Sequence, residues 1–204
     1  MLSLGDRHYY GHNIEIFMEI DQDYYLIIDL EATCCDDKSI PRHKMEIIEI
    51  GAVLLHSKTL EIESEYQTFV QPILNPTLTD FCKTLTSITQ GDVNQAPHFP
   101  EAIQGLQKWL YPFRSYVFCS WGKYDKTQFE RDCQRHNVDY PFPSKHINLK
   151  KSFSAIISSS KKFGMNGALE KLGLPLIGTH HRGIDDARNI ARIVQALKSK
   201  TQES

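Results

Sequence analysis

A short apolar run, Tyr25-Leu26-Ile27-Ile28-Asp29-Leu30-Glu31, closes on two acids where a buried strand ordinarily gives way to Gly, Pro, Asn or Ser. Successive side chains of a strand point to opposite faces, so Asp29 and Glu31 share one face with Ile27, while Leu26, Ile28 and Leu30 share the other. Two carboxylates therefore leave a buried strand side by side. Holding them together costs charge repulsion and desolvation, a cost that a divalent cation removes by supplying positive charge.

The remainder of the sequence has an α/β pattern. After a polar loop over 35–44 that contains Pro41, residues 46–55 form a second apolar strand and 61–70 a third, and the short links predict an antiparallel meander. Helical patterns cover 77–85 and 98–110, with a turn over 86–89 between them. A strand comes next at 115–120, then a helix at 123–136, a short strand at 145–148, helices at 150–159 and 166–172, and a final helix at 184–198. Strands first, then strands alternating with helices, imply a mixed sheet. The Ser- and Lys-rich stretch 158–162 reads as a mobile loop.

At 204 residues the chain is one domain, 24–200, preceded over 1–23 by an arm or short extra element. A net charge of −2 does not announce a nucleic-acid binder, but acids gathered at an active site offset basic residues elsewhere. The cysteines number 5, with Cys34 and Cys35 adjacent and no paired zinc spacing, which points to a reduced, intracellular protein. No stretch has signal-peptide or membrane-span character, so a soluble, cytoplasmic protein is expected.

Two more acids aim inward. The apolar stripe Ile190, Ile193, Val194 and Leu197 of the last helix, extended back at helical spacing, lands on Asp186, whereas Asp185 falls with Asn189 and Arg192 on the polar side. Asp186 thus faces the sheet and Asp185 is a capping or solvated residue. In Ser120-Trp121-Gly122-Lys123-Tyr124-Asp125, Asp125 opens a helix after an apolar strand, in phase with Phe129 and Cys133. A single inward acid is ordinary. One strand and two helices each aiming acids inward suggest a shared cation site.

The segments DLEATC, EIIEIGAVLL, LTSIT, SWGKYD and HHRGIDDARNIA, in this order, resemble the exonuclease motifs of the DEDDh superfamily, and within it the Eri-type 3′–5′ exoribonucleases. The resemblance runs from Tyr24 to Leu197. It implies a ribonuclease H-like fold, a mixed five-stranded sheet flanked by helices. It also implies that Asp29, Glu31, Asp125 and Asp186 are the metal-binding acids and that His181, five positions before the last of them, is the catalytic histidine. Oxygen-only ligands suit Mg²⁺ or Mn²⁺ rather than zinc, and two such ions can stabilise both oxygens of an in-line displacement at phosphorus. Glu31 joins His181 in the catalytic set, and the imidazole would take a proton from the attacking water.

By the same resemblance the terminal nucleotide would lie against Ala32, Thr33 and Cys34, then Phe81 and Ile88, then Tyr124, by stacking that tolerates any base. Lys38, Arg42, His43, Lys44, Lys145, Lys150 and Lys151 are candidates for tracking phosphates. The expected reaction converts single-stranded RNA 3′ ends to 5′-mononucleotides with two divalent cations. The chain departs from the animal Eri-type pattern in having no stretch before Tyr24 long enough for a helical nucleic-acid-binding module, and in carrying Trp121 three residues before Tyr124. A bare catalytic domain trimming short 3′ ends is the expectation. A DNA 3′–5′ exonuclease of the same superfamily shares the acids and is the first alternative. A silent RNA-binding adaptor would lack one of the five residues, and a merely structural metal domain would not need His181.

Overall fold

The computed structural model describes residues 20–202, the side chains of 200–202 excepted. Most of the expected N-terminal arm, residues 1–19, lies outside them. Strands β1 (Tyr24–Ala32), β2 (Ile47–His56), β3 (Ile62–Phe69), β4 (Tyr116–Ser120) and β5 (His146–Asn148) form one five-stranded sheet in the order β3-β2-β1-β4-β5. The first three strands make the antiparallel meander, and β4 and β5 join β1 in parallel. β1 is therefore the central strand. It and β2 are buried on both faces, which is why both read as near-continuous apolar runs. β3 lies at an edge and alternates, with Glu63 and Glu65 at exposed positions.

The two faces of β1 carry different partners, as its alternation requires. Leu26, Ile28 and Leu30 pack with Phe99, Ile103 and Leu106 of α3 (Phe99–Leu110) and Phe129 and Cys133 of α4 (Tyr124–His136). Before these come α1 (Asp80–Thr86) and α2 (Gln90–Asn94), which cover a small third cluster of Ile48, Leu78, Cys82, Ile88 and Val93. Tyr25 and Ile27 face the other way. They meet α5 (Leu149–Ile156), α6 (Met165–Leu172) and α7 (Gly183–Gln202) through Phe153, Ala168, Leu169 and the stripe Ile190, Ile193, Val194 and Leu197. Among the described residues no helix is long and apolar enough to cross a membrane.

Some boundaries differ from those expected of the sequence, and two short elements carry no pattern that announces them. α1 begins at Asp80 because Thr79 caps it, its side chain accepting from Cys82 N–H at 3.0 Å. α2 and a 3₁₀ turn, Arg42–Lys44, are too short to show a period, although the Thr89–Asp92 capping box marks the start of α2.

One contact sets how α7 sits on the sheet. Gly51 of β2 lies backbone to backbone against Gly183 and Ile184, and a Cβ at Gly51 would overlap the Gly183 carbonyl group. A Cβ at Gly183 would in turn stand 3.0 Å from the Asp29 carbonyl oxygen and 3.2 Å from Gly51 N. Glu49 reinforces the junction: its Oε2 accepts from Gly183 N–H at 3.0 Å and from Arg182 Nε at 3.1 Å. Gly51→Ala is expected to cost about 3 kcal/mol or more, at the upper end for overpacking. Gly167→Ala, whose Cβ would meet only Phe163 Cδ1 at 3.8 Å, should be neutral or mildly stabilising. Equal urea midpoints for the two variants would refute the close-approach account.

Candidate active site

At the carboxyl end of β1 the sheet opens. β4 pairs with β1 only as far as Ile27 and Cys119. Beyond that point the Leu30 N–H donates to Asp125 Oδ1 at 3.3 Å, so a side chain from α4 takes a place that a neighbouring strand would fill. On the opposite edge Asp29 pairs with Gly51 and Glu31 with Glu49, and a bulge lies between Glu31 and Ala32. Because Gly51 seats the first turn of α7 on the sheet, Asp186 arrives above Asp29 and Glu31. One oxygen from each of these three acids lies within 4.8 Å of the others. Asp125 lines the same cleft, about 370 Å³ in volume, together with Trp121, Tyr124, Lys150, Gly164, Met165, His180 and His181.

The four predicted acids thus converge with little compensating charge: among the described residues no Lys or Arg forms an ion pair with Asp29, Glu31 or Asp125, and Lys150 in the cleft wall acts on Asp125 only through space. Burial pushes the Glu31 carboxyl up to about 9, with repulsion from Asp186, Glu49 and Asp125 adding to it. Asp29 is raised well above the usual carboxylate range, first by burial and then by Asp125, Glu31 and Asp186. Asp125 rises only to about 6, because hydrogen bonds from its own N–H, Ser120 and Leu30 oppose its burial. Asp186 is also raised by burial, against the pull of His180 and His181. Oxygen donors crowded together without a counter-charge fit a hard divalent cation.

His181 stands on a tight turn before α7 with φ +64°, a left-handed conformation uncommon outside Gly, Asn, Asp and His. Asp186 Oδ2 holds that turn by accepting the His181 N–H at 3.1 Å, and it also meets His180 Nδ1 at 3.0 Å. The two imidazoles stack, with centroids 4.0 Å apart. Burial and then the neighbouring His180 lower the His181 pKa below its usual 6.5, against the attraction of Asp186. His180 therefore bonds to Asp186, not to Asp185. Asp185 instead accepts from Thr179 N–H at 2.9 Å and from Arg188 at 3.2 Å.

The residues proposed to hold the terminal nucleotide divide. Tyr124 is 39% exposed in the cleft wall, whereas Cys34 is half-buried against the cluster of Ile48, Leu78, Cys82, Ile88 and Val93. Phe81 is exposed, but it lines a neighbouring hollow with Cys35, Asp36, Asp37, Thr79, Asp80 and Thr84. Ala32 and Thr33 are buried, the Thr33 hydroxyl accepting from Glu46 N–H at 3.0 Å. Ile88 is a correction: it is fully buried between Ile48, Leu78, Cys82 and Val93, so its side chain serves as core for α1 and α2 and presents no face to a base.

Two supporting residues go unrecognised at the level of sequence. Glu49, an acid inside an apolar run, carries a legible signal, since a buried strand tolerates such a charge only with partners. Asn189, read as polar surface, is fully buried and clasps Ile177 through its N–H at 3.1 Å and its carbonyl at 2.8 Å, fixing the approach to the His180–His181 turn. No periodicity reveals that, because the loop it holds lies twelve residues away.

A mixed sheet whose central strand ends in two acids, met by one acid from each of two helices with an imidazole at the rim, is the architecture of the ribonuclease H-like nucleases. The exonuclease family model (RNase_T) matches residues 26–194, and the chain belongs to that family, on the DEDDh side. It is 40% identical over 187 residues to human 3′-5′ exoribonuclease 1, covering 87% of this chain and 53% of that protein. The chain thus spans about half the length of the curated relatives it matches, and a bovine ERI1 exoribonuclease 3 is 36% identical with the same 53% covered. Among solved structures, the nuclease domain of 3′hExo bound to rAMP aligns with TM-score 0.80 and 36% identity, over 89% of this chain and 94% of that one. A 3′-exonuclease recognising the histone mRNA stem-loop aligns with TM-score 0.82 and 34% identity, over 95% and 71%.

The raised carboxyls make a thermodynamic prediction. A carboxyl whose folded pKa exceeds its unfolded one opposes folding increasingly as pH climbs from the unfolded value, 4.5 for Glu31, toward the folded value of about 9. In EDTA, Glu31→Gln should therefore gain stability relative to the parent across that interval, and saturating Mg²⁺ should shrink the gain. Urea titrations at several pH values read it, and a difference that stays flat with pH would rule out the uncompensated cluster.

Proposed function

We propose that the chain is the catalytic domain of a 3′–5′ exoribonuclease, hydrolysing single-stranded RNA 3′ ends to 5′-mononucleotides. The observation that carries this reading is the convergence of Asp29, Glu31, Asp125 and Asp186, with His181 on the rim, at the open end of the central strand. The similarity to a nuclease domain bound to rAMP, nearly all of which this chain covers, supports a substrate with a ribonucleoside end. These acids would hold two divalent cations, Mg²⁺ or Mn²⁺, which supply positive charge to the scissile phosphate and both reacting oxygens when bound.

The chain's own residues do the rest. His181, whose lowered pKa keeps the ring neutral near pH 7, accepts the proton of the attacking water as general base. Asp186 serves twice, as a cation ligand and as the acceptor that holds the His181 turn. Tyr124 and Trp121 offer apolar walls for the terminal nucleotide, and Trp121 is itself fixed by donation from Nε1 to the Phe163 carbonyl at 3.1 Å. Lys150 brings a positive charge into the cleft for the phosphate of the next linkage. DNA as substrate is the second reading, since nothing in the acid cluster distinguishes the two sugars. An adaptor without activity is disfavoured because all five positions are filled.

A 3′-hydroxyl RNA incubated with Mg²⁺ or Mn²⁺ should yield 5′-mononucleotides, and EDTA should stop the reaction. Asp29→Ala should abolish turnover. His181→Asn, chosen because Asn adopts the left-handed backbone readily, should lower kcat by about 10²–10⁴ and leave cation-induced thermal stabilisation in place. Undiminished turnover in His181→Asn would remove the base assignment, and faster digestion of a matched DNA would favour the second reading.

A further inference from the structure

The junction of the His180–His181 turn with α7 carries a second donor set, which adds to His181 and Asp186 one imidazole, His180, that the exonuclease chemistry does not use. Ligand atoms of His180, His181 and Asp186 lie within 4.8 Å of one another, separately from the oxygen-only group of Asp29, Glu31 and Asp186. The resemblance to the DEDDh motifs accounts for His181 and Asp186 but assigns nothing to His180. Nevertheless His180 Nδ1 sits 3.0 Å and 3.2 Å from the two Asp186 oxygens, and its ring, stacked on that of His181 with centroids 4.0 Å apart, has only to turn about its side-chain bonds to aim a nitrogen at an ion shared with His181. The His180 side chain is 38% exposed, so an ion can reach it from solvent, while the Asp186 side chain is buried at 6%. The turn is also held in advance, by Asp186 on the His181 N–H and by Glu49 on the Gly183 N–H.

We propose that His180, His181 and Asp186 form a transition-metal site that takes Zn²⁺ and, when filled, switches the exonuclease centre off. Two imidazoles and a carboxylate are the borderline donor set that zinc binds in open, three-ligand sites, and imidazole favours Zn²⁺ strongly over Mg²⁺. The two metal chemistries are thereby divided between overlapping groups, with nitrogen donors on one flank of Asp186 and oxygen donors on the other. Zinc on the nitrogen flank engages the His181 nitrogen lone pair, so the ring cannot accept a proton from water. It also draws Asp186 away from the carboxylate group. Binding itself is independent of the exonuclease reading, whereas the inhibitory consequence rests on it.

The test is calorimetric titration of ZnCl₂ into the full chain with Mg²⁺ saturating, comparing the parent with His180→Asn. Asn still donates to Asp186 but does not replace imidazole toward zinc, and matching urea midpoints for the two proteins confirm that folding is preserved. Loss of an outer-shell partner alone weakens metal sites by about 10–100-fold, so removing a ligand should weaken zinc by at least about 10-fold. Co²⁺ in place of zinc should show visible absorption in the parent that His180→Asn loses. Zinc should inhibit Mg²⁺-supported hydrolysis, with half-inhibition displaced upward by a similar factor in the variant. Equal zinc affinity in the two proteins, or equal inhibition, overturns the proposal while leaving the exonuclease reading intact. His180-dependent zinc binding in a chain that hydrolyses no nucleic acid would keep the site and overturn the exonuclease reading and the inhibitory role.

Discussion

Where Gly51 meets Gly183 the chain places backbone directly on backbone, and the cluster of acids over β1 takes its form from that contact. A side chain at either position would lift α7 off the sheet and carry Asp186 with it. Glu49 makes the approach electrostatically acceptable. It is fully buried and faces Glu31 across the ladder, yet its charge is met by Gln67, Arg182 and the first N–H of α7. β2 thus supplies the seat for α7 and the anion that holds its N-terminus, although it contributes no residue to the cation group itself.

Comparison with the other buried acids shows what is unusual about this cluster. Glu46 accepts N–H groups from Ile73, Leu74 and Asn75, and Asp132 accepts the Ile47 N–H with Arg135 beside it. These carboxylates are satisfied within the protein and serve to fix loops and strand ends. Asp29 and Glu31 have no such cationic partner, and burial with mutual repulsion pushes both carboxyls up. A chain that satisfies some buried acids and leaves others to repel one another stores an electrostatic demand at one place. That demand, with an imidazole at its edge, is what supports the proposal of a reaction centre in this cleft.

The turn from Thr179 to Gly183 shows how densely the rim is specified. Asp185 accepts from Thr179 N–H, Asn189 clasps Ile177, Asp186 accepts from His181 N–H, and Glu49 accepts from Gly183 N–H. A left-handed His181 persists because its surroundings determine it from both sides. Arg182 adds a contact over the Phe69 ring at 5.2 Å, tying the rim to the end of β3.

Local pattern determined a good part of this molecule from sequence alone. Alternation along β1 separates Ile27, Asp29 and Glu31 from Leu26, Ile28 and Leu30, and the helical stripe ending in Leu197 selects Asp186 over Asp185, because strand and helix periods are short-range geometry. The order of the motifs likewise pointed to the nuclease fold. Only the tertiary structure decided that Ile88 is core, that Asn189 is buried, that Glu49 anchors α7 and that His180 turns to Asp186. The first three depend on which more distant segment comes to lie alongside, settled by the packing of α1, α2 and α7 on the sheet, while the His180–Asp186 contact is close in sequence but crosses a left-handed turn that no helix or strand period describes.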